Sequence, residues 1–76
     1  MEALLEILRD IQPDVDYENC ETLIDDHILD SLSILSLIAD LEDEFDVTIP
    51  TVEIIPENFN SAKRIYDMLM RLQEEF

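Results

Sequence analysis

The sequence predicts an all-α protein, a small four-helix bundle with three longer helices and one short helix. Three segments place apolar residues at intervals of three and four, which is the spacing of one face of an α-helix. Proline-containing, acid-rich stretches without this periodicity separate the segments. A chain of 76 residues, 47% of them hydrophobic, is long enough for one core. We therefore expect a single domain over residues 1–76.

The first predicted helix covers about residues 2–12. Glu2 lies near its start and Arg9 near its end, and both charges suit the helix dipole. Pro13 ends the helix, because the residue before a proline disfavours helical geometry. The apolar residues recur at helical spacing and form one core-facing stripe, which consists of Leu4, Leu5, Leu8 and Ile11.

Residues 13–30 form a long connection in which acidic and apolar residues alternate. A loop of this length without secondary structure is uncommon in a compact domain and usually has a function. We expect its apolar residues to anchor it across the bundle, so that it brings Ser31 to the surface. These residues are Val15, Tyr17, Leu23, Ile24, Ile28 and Leu29.

The second predicted helix covers about residues 31–46. Asp30 is a good N-cap, because its carboxylate can accept a hydrogen bond from an amide of the first turn. Ser31 then occupies the first helical position, where its hydroxyl points outward at the mouth of the helix. An exposed hydroxyl on a rigid element, beside an acid, is well placed for a covalent attachment.

This second helix has more apolar residues than one core-facing stripe requires. They are Leu32, Ile34, Leu35, Leu37, Ile38, Leu41 and Phe45. We expect Leu32 and Leu35 to lie off the core face, near Ser31. They belong either to a wide stripe or to an exposed apolar patch for a partner protein. In the second case the acidic rim of the patch would consist of Asp40, Glu42 and Asp43.

The second loop covers residues 47–60 and contains Pro50 and Pro56. Residues 57–59 are predicted to form one short helical turn. We expect four core anchors in this region, namely Ile49, Ile54, Ile55 and Phe59.

The last helix is predicted from about residue 61 to residue 75. Asn60 or Ser61 is the expected cap, because both residue types accept hydrogen bonds from first-turn amides. The apolar stripe of this helix consists of Ala62, Ile65, Leu69 and Leu72.

Composition limits the function. Twenty acidic and four basic residues give a net charge of −16, which would repel nucleic acid. The charge favours partners with basic patches, or it serves only to keep a small domain soluble. The chain has no apolar run long enough for membrane insertion. The N-terminus lacks a basic signal-peptide region, and the single Cys20 excludes an internal disulfide, so we expect a cytoplasmic protein.

Catalysis by Ser31 itself is not expected. A hydrolytic serine needs a histidine base and an oxyanion hole, and the only histidine is His27, in a loop. The chain has no glycine with which to build a nucleophile elbow. No metal site is predicted either, because the adjacent residues 25–27 cannot all converge on one ion.

One motif and the segment after it resemble a known family. Asp30-Ser31-Leu32, followed by Leu41-Glu42-Asp43-Glu44-Phe45 and Val47-Thr48-Ile49-Pro50, is similar to the acyl carrier and peptidyl carrier family. The resemblance covers nearly the whole chain. It implies an acyl-carrier-like bundle without catalytic activity. It also implies that 4′-phosphopantetheine, taken from coenzyme A, is attached to the serine of the Asp-Ser-Leu motif.

The resemblance also implies a mode of action. A carrier holds an acyl or aminoacyl group as a thioester and delivers it to partner enzymes. The expected partners are a phosphopantetheinyl transferase, an acyl- or aminoacyl-activating enzyme, and acyl-transfer enzymes with basic docking patches. Leu32 and Leu35, with the acidic rim named above, would form the docking face. The carrier is expected to be a monomer.

The chain departs from the family pattern at two places, and the second of them bears on the cargo. Carriers often have glycine two to four residues before the serine, where this chain has His27, which would tolerate a left-handed backbone at some cost. Fatty-acid carriers usually have acids just after the motif, where this chain has Ser33 and Ser36. Residues 52–61 look more like aminoacyl carriers. These include D-alanyl carriers of teichoic acid modification and peptidyl carriers of non-ribosomal synthesis. The rival hypothesis from another class is an acidic helical adaptor that is never modified.

Overall fold

The structure is a computed structural model that describes residues 2–74. Within them it contains four α-helices and no β-strand: α1 (Glu2–Ile11), α2 (Ser31–Phe45), α3 (Pro56–Phe59) and α4 (Ala62–Glu74). A 3₁₀ turn at Thr51–Glu53 precedes α3. Helix α1 packs against α2 and α4, and α3 packs against α4. The predicted all-α bundle with three longer helices and one short helix is confirmed.

The ends of α1 and α2 are one residue short of the predicted ones. The Gln12 amide still donates to the Leu8 carbonyl at 2.8 Å, but α1 ends at Ile11 ahead of the proline. Helix α2 ends at Phe45, because Asp46 adopts a left-handed conformation with φ of 53°. Left-handed residues commonly end helices, and aspartate is one of the few types other than glycine that tolerate this geometry.

The starts of α3 and α4 also differ by one residue from the prediction. Helix α3 begins at Pro56, since proline suits the first helical position. Helix α4 begins at Ala62, because the Ser61 hydroxyl accepts a hydrogen bond from the Arg64 amide at 3.1 Å and acts as the cap. The predicted end of this helix, at residue 75, lies outside the described residues.

The core lies where the inner faces of the helices and parts of both loops meet. The buried apolar residues are Leu4, Leu8, Tyr17, Leu23, Leu29, Leu37, Leu41, Ile49, Phe59, Ala62, Ile65, Met68, Leu69 and Leu72. Helix α1 contributes two fully buried residues, Leu4 and Leu8, while Leu5 and Ile11 are only partly buried. Met68 is a full member of the core, although the apolar stripe predicted for α4 did not include it.

Buried apolar side chains and backbone hydrogen bonds hold the first loop in place. Tyr17, Leu23 and Leu29 are buried, as the sequence predicts. The single hydroxyl hydrogen of Tyr17 is shared between the Gln12 carbonyl at 2.7 Å and the Leu8 carbonyl at 3.0 Å, which ties the loop to the end of α1. These anchors fix the chain on its way to Ser31.

Asn60 connects the first loop to the start of α4. Its side-chain oxygen accepts hydrogen bonds from the Ile24 amide at 3.0 Å and the Asp25 amide at 3.1 Å. Its carbonyl accepts a third, from the Leu23 amide at 2.9 Å. Asn60 therefore caps the turn of the first loop, rather than helix α4.

The second loop is anchored differently from the prediction. Ile49 and Phe59 are buried as expected, but Ile54 and Ile55 are 37% and 42% exposed, so their prediction as core anchors was wrong. Ile55 is extended between the 3₁₀ turn and α3, and both isoleucines line a cleft of about 90 Å³. Ile24 also lines that cleft.

Polar contacts attach the second loop to its neighbours. The Glu42 carboxylate accepts a hydrogen bond from the Ile49 amide at 2.8 Å. Arg71 of α4 binds both carboxylate oxygens of Glu53, one of them at 3.0 Å. The Glu53 side chain is only 19% exposed.

Candidate functional site

Ser31 is exposed at the first position of α2. Its hydroxyl makes no hydrogen bond with any residue in the range 2–74. Asp30 precedes it in an extended conformation, and one carboxylate oxygen of Asp30 accepts a hydrogen bond from the Ser33 amide at 2.8 Å. The site therefore consists of the Ser31 hydroxyl, which has no hydrogen-bond partner among those residues, at the capped N-terminus of α2.

The Asp30 carboxylate stays ionised because the first turn of α2 donates to it. The Ser33 amide lowers the pKa of Asp30 most, followed by the Ser33 hydroxyl, and the Leu32 amide lowers it further. The N-terminal amides of a helix favour a negative charge. The negative charge of Asp30 is thus fixed in the residue next to Ser31, and it binds the Ser33 amide of the first turn.

A tight turn of the first loop leads into this site. The His27 amide donates to the Ile24 carbonyl at 3.0 Å, and the Leu29 amide donates to the Leu23 carbonyl at 2.9 Å. His27 has a φ of 58°, the left-handed conformation weighed from the sequence. Leu29, two residues before Ser31, is only 2% exposed and holds the loop against the core.

The outer face of α2 presents apolar side chains next to Ser31. Leu32 is 76% exposed and Leu35 is 65% exposed, so both lie off the core face as predicted. Asp40 and Asp43 are also exposed, and α2 contains no lysine or arginine. This face therefore combines apolar contact area with uncompensated negative charge.

Two features of this face were not anticipated. Glu42 is half-buried and uses its carboxylate on the second loop, so it is not part of a free acidic rim. Ala39, which is exposed, continues the row of Leu32 and Leu35 at helical spacing. The period of seven from Leu32 to Ala39 was visible in the sequence, whereas the bond from Glu42 to the loop was not.

The arrangement suits modification of the serine by another enzyme. No hydrogen bond connects His27 to Ser31, so no base is engaged with the hydroxyl. Within residues 2–74 no three His, Cys, Asp or Glu side chains form a group that could hold a metal ion. An accessible alcohol without hydrogen-bond partners is what a covalent phosphodiester link requires. The residues present therefore fit a prosthetic arm.

A helical bundle that exposes a serine at the start of its second helix, between an acid and a leucine, defines a class of covalently loaded carrier proteins. The phosphopantetheine attachment site family matches residues 2–69. The chain belongs to this family. It is a carrier protein, and its cofactor is covalently attached 4′-phosphopantetheine.

The chain is also similar to individual carrier proteins of two streptococci. A D-alanyl carrier protein of Streptococcus suis (strain 05ZYH33) is 33% identical over 72 residues, which cover 93% of this chain and 91% of the relative. A D-alanyl carrier protein of Streptococcus mutans is 36% identical over 53 residues, which cover 70% of this chain and 67% of the relative. Carrier proteins of this kind work with phosphopantetheinyl transferases and acyl-handling enzymes. No helix in residues 2–74 is long and apolar enough to cross a membrane.

Proposed function

We propose that Ser31 bears the phosphopantetheine and that residues 1–76 act as one non-catalytic carrier domain. The observation that carries this proposal is the exposed Ser31 hydroxyl, free of hydrogen bonds, at the capped start of α2. Ser33 is a weaker candidate, because it is half-buried and its amide is bound to the Asp30 carboxylate. Ser36 lies a full turn into the helix, away from the motif.

When bound, the prosthetic group supplies a terminal thiol that holds a carboxylic acid as a thioester. The residues of the chain position this group and do no bond-making of their own. Asp30 fixes the first turn of α2, and the buried Leu29 fixes the loop behind it. The attachment point is therefore rigid, and the mobility needed for delivery resides in the arm.

The docking face of this carrier consists of Leu32, Leu35, Asp40 and Asp43. The two leucines offer apolar area to a partner pocket. The acids steer a partner whose pocket is rimmed by lysine and arginine, because the chain has a net charge of −16. Glu42 is not part of this face, because its carboxylate binds the Ile49 amide and holds the second loop against α2. The carrier works as a monomer, loaded by a transferase and an activating enzyme with such basic patches.

The cargo is a small aminoacyl group, and D-alanine is the candidate named by the relatives. The cleft beside α2, between Ile34 and Ile55, has a volume of about 90 Å³. For comparison, an apolar cavity of roughly 150 Å³ binds one benzene. A cleft of about 90 Å³ would therefore not enclose a long acyl chain beside α2.

Intact mass spectrometry tests the attachment residue. The wild type, Ser31→Ala and Ser33→Ala are each incubated with coenzyme A and a phosphopantetheinyl transferase. The wild type and Ser33→Ala should gain the mass of one phosphopantetheine, and Ser31→Ala should gain none while keeping its helical circular dichroism. An unchanged mass for the wild type would favour the unmodified adaptor.

Substitutions on α2 test the docking face. Leu35→Ala should raise the KM of the transferase roughly tenfold, which is the loss expected for one buried apolar anchor. Val52→Ala removes a side chain that is 78% exposed, outside the proposed face, and serves as the matched control. Equal kinetic constants for the two variants would remove Leu35 from the interface.

A separate assay of ester hydrolysis by the purified protein should detect no turnover, as expected for a carrier without catalytic activity.

A further inference from the structure

Positive charge is missing from the whole middle of the chain. No lysine or arginine occurs between Arg9 and Lys63, a stretch that contains both loops, α2 and α3. His27 is the only histidine of the chain. It is therefore the one side chain in this stretch that can become cationic, and it lies four residues before Ser31.

A phosphodiester at Ser31 would add negative charge where acids are already dense. Asp25, Asp26 and Asp30 are all exposed near this residue. Helix N-termini usually stabilise phosphate through their free amides. Here the Asp30 carboxylate already accepts a hydrogen bond from the Ser33 amide at 2.8 Å and places its own negative charge at the helix mouth. The charge that compensates a phosphate at this helix would therefore come from a cationic side chain outside the helix mouth.

His27 is placed to supply that charge. It is exposed, and its turn is closed by backbone hydrogen bonds at Ile24 and Leu29. Four residues of chain keep the Cα atoms of His27 and Ser31 within about 14 Å of one another. Its positive φ of 58° is uncommon for a residue with a side chain.

We propose that the His27 imidazolium pairs with the phosphodiester carried by Ser31 and holds the base of the arm against the turn of the first loop. This inference rests on the proposed attachment at Ser31. Two other cations lie at the start of α4, which packs against this loop. The Arg64 guanidinium donates to the Glu57 carbonyl at 3.1 Å. Lys63 lines a cleft with the first loop and pairs with Asp67 at 3.1 Å. The variant Arg64→Gln tests whether Arg64, rather than His27, supplies the positive charge that pairs with the phosphodiester.

The experiment is a proton NMR titration of the imidazole in the apo and the phosphopantetheinylated protein, with modification verified by intact mass. One added negative charge paired with the ring, at about 4 Å, should move the titration midpoint of His27 upward by about 0.7 pH unit. A histidine placed at Thr48, just past the far end of α2, is the control. Helix α2 is about 22 Å long, so screening should keep that midpoint within about 0.1 unit.

The titration and the intact mass together distinguish failure of the pairing from failure of the attachment. A His27 shift that persists in Arg64→Gln, with the Thr48→His ring unaffected, supports the pairing. A verified modification without a His27 shift, or with an equal shift at both rings, overturns it and leaves the attachment at Ser31 intact. A wild-type protein that gains no mass refutes the proposed function, and this inference with it.

Discussion

The two loops of the bundle are held by different forces. The first loop is fixed by Tyr17, Leu23 and Leu29, all buried in the core. The part of the second loop that precedes α3 has one buried anchor, Ile49, and is otherwise attached by polar contacts such as the pair between Glu53 and Arg71. The loop that ends at Ser31 is thus part of the core, whereas the second loop lies against the surface.

This difference separates two requirements of a carrier. The attachment point must present its hydroxyl in one geometry, and buried apolar anchors provide that because their cost of exposure is large. The second loop presents Val52, Ile54 and Ile55 to solvent. Contacts made by partly exposed charges are individually weak, so that loop can adjust at smaller cost.

Removal of an anchor of the first loop should have the largest effect on stability. Leu23→Ala deletes a side chain with no exposure and should lower the free energy of unfolding by about 2–5 kcal/mol. Val52→Ala, in the second loop, should change it by less than about 0.5 kcal/mol. Urea denaturation measures both variants. Comparable losses for the two would show that the loops are held alike.

Removal of the Glu53 carboxylate should have a smaller effect that depends on pH. The hydrogen bonds from Arg71 hold the pKa of Glu53 below its usual range. The stabilisation is therefore present above the unfolded value of about 4.3 and is lost as the pH falls through the lower folded value. The wild type should be more stable than Glu53→Gln at neutral pH, and the difference should vanish in acid.

Glu57→Gln is the control for this second variant, because it removes one negative charge from an exposed residue of α3. Both variants relieve the same long-range repulsion, so their difference isolates the contacts of the Glu53 carboxylate, chiefly that with Arg71 and also the hydrogen bond from Asn58 at 3.1 Å. Urea midpoints measured across the acid range provide the comparison. A Glu53 effect that is constant with pH would mean that the second loop does not depend on this charge.

Salt should have the smallest effect of the three and should act on the molecule as a whole. A net charge of −16 on 76 residues repels itself, and screening from about 0.01 M to about 1 M salt shortens the Debye length tenfold. The melting temperature should therefore rise with ionic strength. A melting temperature that falls with salt would mean that polar contacts like those of the second loop outweigh the general repulsion.

The sequence was sufficient to predict features that depend on periodicity and on local chemistry. The spacing of Leu4 and Leu8 predicted a buried face, and Asp30 was predicted as a cap because its side chain acts on its own first turn. The excess of leucines on α2 likewise predicted that Leu32 and Leu35 lie off the core.

Features that depend on contacts between distant residues were not predictable. Ile54 and Ile55 are as apolar as Ile49, and only the path of the chain after the 3₁₀ turn decides that they reach solvent. The role of Glu42 depends on an amide seven residues away, and Arg71 meets Glu53 across 18 residues. No local sequence pattern distinguishes Glu42 and Glu53 from the acidic residues that are fully exposed.

The central claim is best tested by locating the phosphopantetheine within the chain. Trypsin cuts after Arg9 and Lys63, so residues 10–63 form one peptide that contains all four serines of the chain. Electron-transfer fragmentation of the modified peptide should assign the added mass to Ser31, with the fragments that begin at Ser33 unmodified. Added mass on Ser33, Ser36 or Ser61 would contradict the account.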